Sequence, residues 1–93
     1  MVLGNEILVG KKPLMDYVRA AMLQLNTGSD DIVIKARGNL TAKAVDVAEI
    51  IKRELMNEIK VSDVRICSEI VRNREGITRI SAMELVLKKE ILE

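Results

Sequence analysis

Residues 32–44, IVIKARGNLTAKA, change their hydrophobic period in mid-stretch, and that change decides the fold. Ile32, Ile34 and Ala36 alternate with Val33, Lys35 and Arg37, the two-residue period of a strand that carries both cations on one face. From Leu40 the spacing lengthens. Leu40, Ala44, Val47, Ile51 and Leu55 recur as the apolar stripe of an amphipathic helix. Gly38 and Asn39 fall at the changeover, and Asn39 is placed to cap the helix. Lys35, Arg37 and Lys43 surround this loop, with no acid between them. A strand-to-helix loop sets backbone N–H groups and the positive end of a helix dipole beside such side chains, so a phosphate is its natural guest. Taken alone, a window of this kind is more often a solvated basic turn.

Upstream, Glu6 to Val9 is a short apolar run ended by Gly10, which predicts a first strand. Pro13 fits the first position of a helix, where its missing N–H is not needed. Leu14, Val18, Ala21, Met22 and Leu25 supply that helix's stripe, and Gly28 stops it. Downstream, Val61 to Arg72 alternates through Val64, Ile66 and Ile70, and Thr78 to Lys88 through Met83, Leu85 and Leu87. Asn73-Arg74-Glu75-Gly76 joins these two runs as a hairpin. The order is β-α-β-α-β-β in one domain, residues 1–93, with no linker, repeat or low-complexity segment. Short right-handed βαβ crossovers predict a two-layer α/β sandwich with its helices packed on the sheet. The last two strands outrun the others and end in Arg72, Arg74 and Arg79, so an arm extending beyond the sandwich is expected. Arginines there also serve simply to keep an exposed strand pair soluble.

Lys11-Lys12 lies in the first strand-to-helix loop. If the first two strands are parallel, this loop opens on the same sheet edge as Arg37 and Gly38, the edge where ligands commonly bind. Two basic loops on one edge are a better signal than either alone.

Composition closes off other classes. The chain has no Phe, no Trp and a single tyrosine, so its core is built from aliphatic residues and base stacking in the manner of single-strand binders is disfavoured. There is no histidine, which removes Ser-His and Cys-His catalysis. One cysteine, Cys67, with no histidine leaves no all-protein zinc site. Gly10 and Gly38 each stand outside any nucleotide-binding glycine fingerprint. The carboxylates Asp46, Glu49 and Glu54 are spaced as solvated helix charges. No catalytic constellation, cofactor or metal is expected. No run has the length of a membrane span and no signal pattern opens the chain, so a soluble intracellular domain is expected.

Gly10-Lys11-Lys12-Pro13, Tyr17-Val18, Ile34-Lys35-Ala36-Arg37-Gly38, Lys43-Ala44-Val45-Asp46, Ala48-Glu49-Ile50 and Ser81-Ala82-Met83-Glu84-Leu85 resemble the Alba family of archaeal chromatin proteins. The resemblance runs over nearly the whole chain. Its fold, also similar to the C-terminal domain of a bacterial translation initiation factor, has the β-α-β-α-β-β order already read. It implies a homodimer that coats and compacts double-stranded DNA with little sequence preference, and that binds RNA as well. By matching position, Lys11 and Lys12 are central phosphate contacts. Lys35, Arg37, Gly38, Asn39 and Lys43 form the supporting loop, and Arg72, Arg74 and Arg79 are hairpin contacts in the minor groove. The resemblance also implies acetylation at Lys11, by acetylating and deacetylating partner enzymes, and a dimer–dimer contact at Leu55. Asn39 stands where relatives often carry a second cation, and Leu55 where an aromatic is common.

Fifteen basic and fourteen acidic residues give a net charge of only +1. Windows 10–13, 35–43 and 72–81 hold eight basic residues and one acid, which leaves the remainder acidic. Such a dipolar chain is expected to bind a polyanion by one face and to release it at lower salt than a strongly basic relative. Two other readings stay open: an RNA-binding subunit of an RNA-processing complex, and, more distantly, a protein-interaction module without nucleic acid.

Overall fold

The computed structural model describes residues 2–3, 5–55 and 58–90. The elements are β1 (Val2–Leu3), β2 (Glu6–Leu8), α1 (Leu14–Asn26), β3 (Asp31–Arg37), α2 (Thr41–Leu55), β4 (Ile59–Asn73) and β5 (Gly76–Lys89). From β2 onward this is the expected order. The addition is β1, a two-residue strand paired antiparallel to β2 and too short to show any alternation in sequence. The sheet order is β1-β2-β3-β5-β4. β2 and β3 are parallel, joined through α1, while β5 pairs antiparallel with both β3 and β4.

Both helices lie on one face of the sheet. Ile7, Ile32 and Ile34 meet Tyr17, Val18, Ala21 and Leu25 of α1, and Ala44, Val47, Ala48 and Ile51 of α2, all buried in one cluster with Leu85 and Leu87. Each large aliphatic side chain in such a core contributes about 1.5–3 kcal/mol through loss of its water contact. Lys35 and Arg37 point the other way, as the alternation of β3 requires. Among the described residues no helix is long and apolar enough to cross a membrane.

Two expectations at helix starts are corrected. Pro13 is the cap residue, with an extended ψ of 145°, and Leu14 begins the helix. Asn39 caps nothing. Gly38, at φ 57°, reverses the backbone within one residue, so a 3-10 turn over Gly38–Leu40 starts at once and leads directly into α2. The cap position of that turn falls on Arg37, whose side chain makes no capping hydrogen bond.

The final hairpin is much longer than the helix layer. β5 leaves β3 after the Arg37↔Ala82 pair, and from Ser68↔Ser81 to Asn73↔Gly76 the two strands pair only with each other. Those six residue pairs make an arm of about 20 Å at the usual rise of a strand. The chain accordingly measures 53 × 23 × 21 Å. Near the start of β4, within the body of the sheet, the register shifts between Val61 and Asp63, a bulge that leaves Ser62 unpaired. Past it, Val64, Ile66 and Ile70 share the helix-side face of β4, and they are 50%, 81% and 65% exposed. The alternation seen in sequence therefore marks an apolar face that the described residues do not cover.

Candidate functional site

Because β2 and β3 are parallel, the loops that follow them leave the sheet at the same edge. Lys11 and Lys12 are exposed there, and among the described residues neither forms an ion pair. Their loop is held by contacts of long sequence separation. The Lys12 amide donates to the hydroxyl of Tyr17, a residue that is 5% exposed, at 3.1 Å. The Lys43 ammonium donates to the carbonyl of Gly10 at 2.8 Å and to that of Lys12, and stands 5.2 Å from the centre of the Tyr17 ring.

The second loop is less cationic in space than in sequence. Lys35 lies 2.7 Å from Glu6 and 3.6 Å from Glu84. The hydrogen bond that it donates to Glu6, with the added attraction of Glu84, holds its ammonium above the ordinary value of 10.5. Glu84 is the direct β5 partner of Lys35, and Arg37 reaches Glu69 on β4 at 3.3 Å. Asn39 is exposed and Gly38 half-buried against Ile80 at the base of the arm. A groove of about 490 Å³ runs between the two loops and β4, lined by Leu8, Lys11, Arg37, Cys67, Glu69 and Glu84 among others.

Arg72 and Arg79 are exposed on the helix-side face of the arm, beside Ile70 and Ile77, and Arg74 occupies the two-residue turn. The Glu75 amide donates to Asn73 Oδ1 at 2.9 Å and fixes that turn. Among the described residues no ion pair involves these three arginines. The fold thus brings Lys11, Lys12, Lys35, Arg37, Gly38, Asn39 and Lys43 to one edge and sets Arg72, Arg74 and Arg79 apart on the arm. Leu55, at the end of α2, is half-buried and packs against the chain's own core. Sequence reasoning gave no role to Tyr17, Glu6, Glu69 or Glu84. Only the tyrosine carried a signal, as the sole aromatic of the chain.

With this geometry in place, comparison with known proteins is direct. The family model described as Alba matches residues 5–68. DNA/RNA-binding protein Alba 1 of Archaeoglobus fulgidus is 40% identical over 86 residues, 92% of this chain and 97% of the relative. DNA/RNA-binding protein Alba of Thermoplasma volcanium is 40% identical over 85 residues, 91% of this chain and 96% of the relative. The solved structure of Alba from Thermoplasma volcanium superposes with a TM-score of 0.86, covering 90% of this chain and 99% of its own. ALBA1 from Trypanosoma brucei, at 19% identity, shares the fold with a TM-score of 0.77, covering 96% of this chain and 72% of its own.

Proposed function

The chain belongs to the Alba family, and from that premise we propose that it is a DNA- and RNA-binding protein that grips duplex phosphates as a homodimer. The observation that carries this reading is the exposed lysine pair at the shared sheet edge, with three arginines on a separate arm, none of them in an ion pair among the described residues. A lysine with no acid beside it gives up condensed counterions of the duplex when it binds, and that release drives association. Arms of about 20 Å reach along a groove that the body does not enter. Lys35 and Arg37, already paired with carboxylates, supply less to this step than Lys11 and Lys12. The uncovered apolar face of β4 supports the homodimer, since a second copy buries it.

On this reading the protein sits on the chromosome in the cytoplasm and compacts DNA. Acetylation of the exposed Lys11 removes one phosphate contact and loosens it. Leu55 offers only its outer half to a neighbouring dimer, because the rest is packed inward. Cooperative coating along DNA is therefore weaker than in relatives with an aromatic at this position.

Fluorescence anisotropy with a labelled duplex and a structured RNA, each titrated with salt, tests the proposal. Log affinity falls with log salt at about −0.9 per duplex phosphate neutralised. Lys11→Ala with Lys12→Ala removes four lysines per dimer and flattens that slope by up to about 3.6. An unchanged affinity and slope in the double variant overturns the assignment of this loop. Competition between the two probes ranks DNA against RNA. Absence of a salt-dependent complex with either leaves only a protein-interaction role.

A further inference from the structure

An ammonium group has three N–H donors and no acceptor. The ammonium of Lys43 donates to the Gly10 and Lys12 carbonyls and stands 5.2 Å from the centre of the Tyr17 ring, so two of its three donors are committed to its own protein. We infer that Lys43 is not a phosphate contact but a positioning residue, which together with Tyr17 clamps the Lys11-Lys12 loop in its binding shape. The inference rests on the reading that this loop binds phosphate, and it changes how affinity is distributed among the cations.

The clamp has three independent parts. Lys43 comes from the first turn of α2 and bridges two carbonyls one residue apart on either side of Lys11. Tyr17, anchored by burial in the core, takes the Lys12 amide. Gly10 permits the close approach, because a Cβ there stands 3.1 Å from the Tyr17 hydroxyl and forces it to give way. Between them, the backbone of residues 10–12 is fixed at two carbonyls and one amide, while the Lys11 and Lys12 side chains stay exposed. A cation directed inward thus orients two cations directed outward. Without it the loop must be ordered anew on every encounter with a duplex, and fixing one freed residue lowers affinity about five- to thirtyfold.

The test is a double-mutant cycle in duplex binding, with Lys43→Met and Tyr17→Phe each made in the natural chain and in the Lys11→Ala, Lys12→Ala chain. Lys43→Met is expected to weaken binding about tenfold in the natural chain and hardly at all in the double variant, since an absent contact needs no positioning. Tyr17→Phe removes no charge and is expected to weaken binding in the same direction with an unaltered salt slope. Hydrogen exchange at the Lys12 amide quickens in both. A Lys43→Met loss of equal size in both backgrounds, with a slope reduced by about 0.9 per lysine, makes Lys43 a direct contact and overturns the inference. So does full affinity in Lys43→Met or Tyr17→Phe. Where Lys43→Met does not fold, the tyrosine variant carries the cycle alone. If Lys11→Ala with Lys12→Ala itself leaves binding intact, the proposed function of the loop fails first, and the cycle reports that separately.

Discussion

Replacing Ile66 with serine tests the apolar face of β4 with little interference from the fold itself. Ile66 is 81% exposed in the single chain, so its side chain adds little to the chain's own stability. In a two-fold dimer built on this face the same side chain is withdrawn from water, and the symmetry doubles each substitution. Full burial of an isoleucine is worth about 1.5–3 kcal/mol, and some four-fifths of this one is available. Counted twice, the loss is about 2.4–4.8 kcal/mol, or a roughly fiftyfold to three-thousandfold rise in the dimer dissociation constant. Sedimentation equilibrium over a dilution series measures it directly. The melting temperature of the natural chain also rises with concentration, and that of a dissociated variant does not. Leu23→Ser is the control, at a residue 62% exposed on α1. The reasoning is refuted if Ile66→Ser keeps the natural dissociation constant, or if Leu23→Ser is the variant that falls apart.

Removing the arm arginines, Arg72, Arg74 and Arg79 to Ala, is expected to lower the salt slope by up to about 0.9 for each one that meets a phosphate, with the melting temperature unchanged, as read by anisotropy and calorimetry. Gly38→Ala is expected to destabilise the chain by about 1–2 kcal/mol in urea titration, the cost of a left-handed backbone for a residue with a side chain. A much larger loss contradicts the open geometry, since a Cβ at Gly38 meets Ile80 at an ordinary 3.6 Å. Lys35→Gln is expected to cost under about 1 kcal/mol, because the ion pairs are partly exposed. The folded ammonium titrates above its ordinary 10.5, so this contribution is complete below that pH and is lost as pH rises through the folded value. Denaturation midpoints of the two chains between pH 8 and 11.5 are therefore expected to converge only at the alkaline end.

Local periodicity made most of the fold legible. The switch from two-residue to helical spacing around Gly38 located the β3–α2 turn, and the parallel pairing that puts both basic loops on one edge followed from the short crossover through α1. Features made by distant partners were not legible. The Lys35–Glu84 pair joins neighbouring strands far apart in sequence, and Arg37–Glu69 reaches across β5 from β3 to β4, so a count of charge by window overstated the basic character of the second loop. Lys43 resembled a third loop cation because its two acceptor carbonyls lie more than thirty residues away. Alternation along β4 is the same whether its apolar face meets a helix or water. Only the length of the hairpin relative to the helix layer decides between them.

The unpaired Ser62 sets a parity for everything beyond it. Ile59, buried at the root of β4, and Ile66, exposed farther out, are seven residues apart, an odd step that in an uninterrupted strand sends them to opposite faces. The extra residue restores them to one side. Take Ser62 out and the chain keeps either the root or the outer apolar stripe in place, but not both. With the root held, Ile70 and Arg72 turn to the far side of the arm, while Arg79 on β5 keeps the face that pairing with β3 sets. A single deletion thus exchanges the two faces of the β4 half of the hairpin against an unchanged β5, whereas removing two residues from the strand only shortens the reach. The length of β4 is therefore constrained in twos.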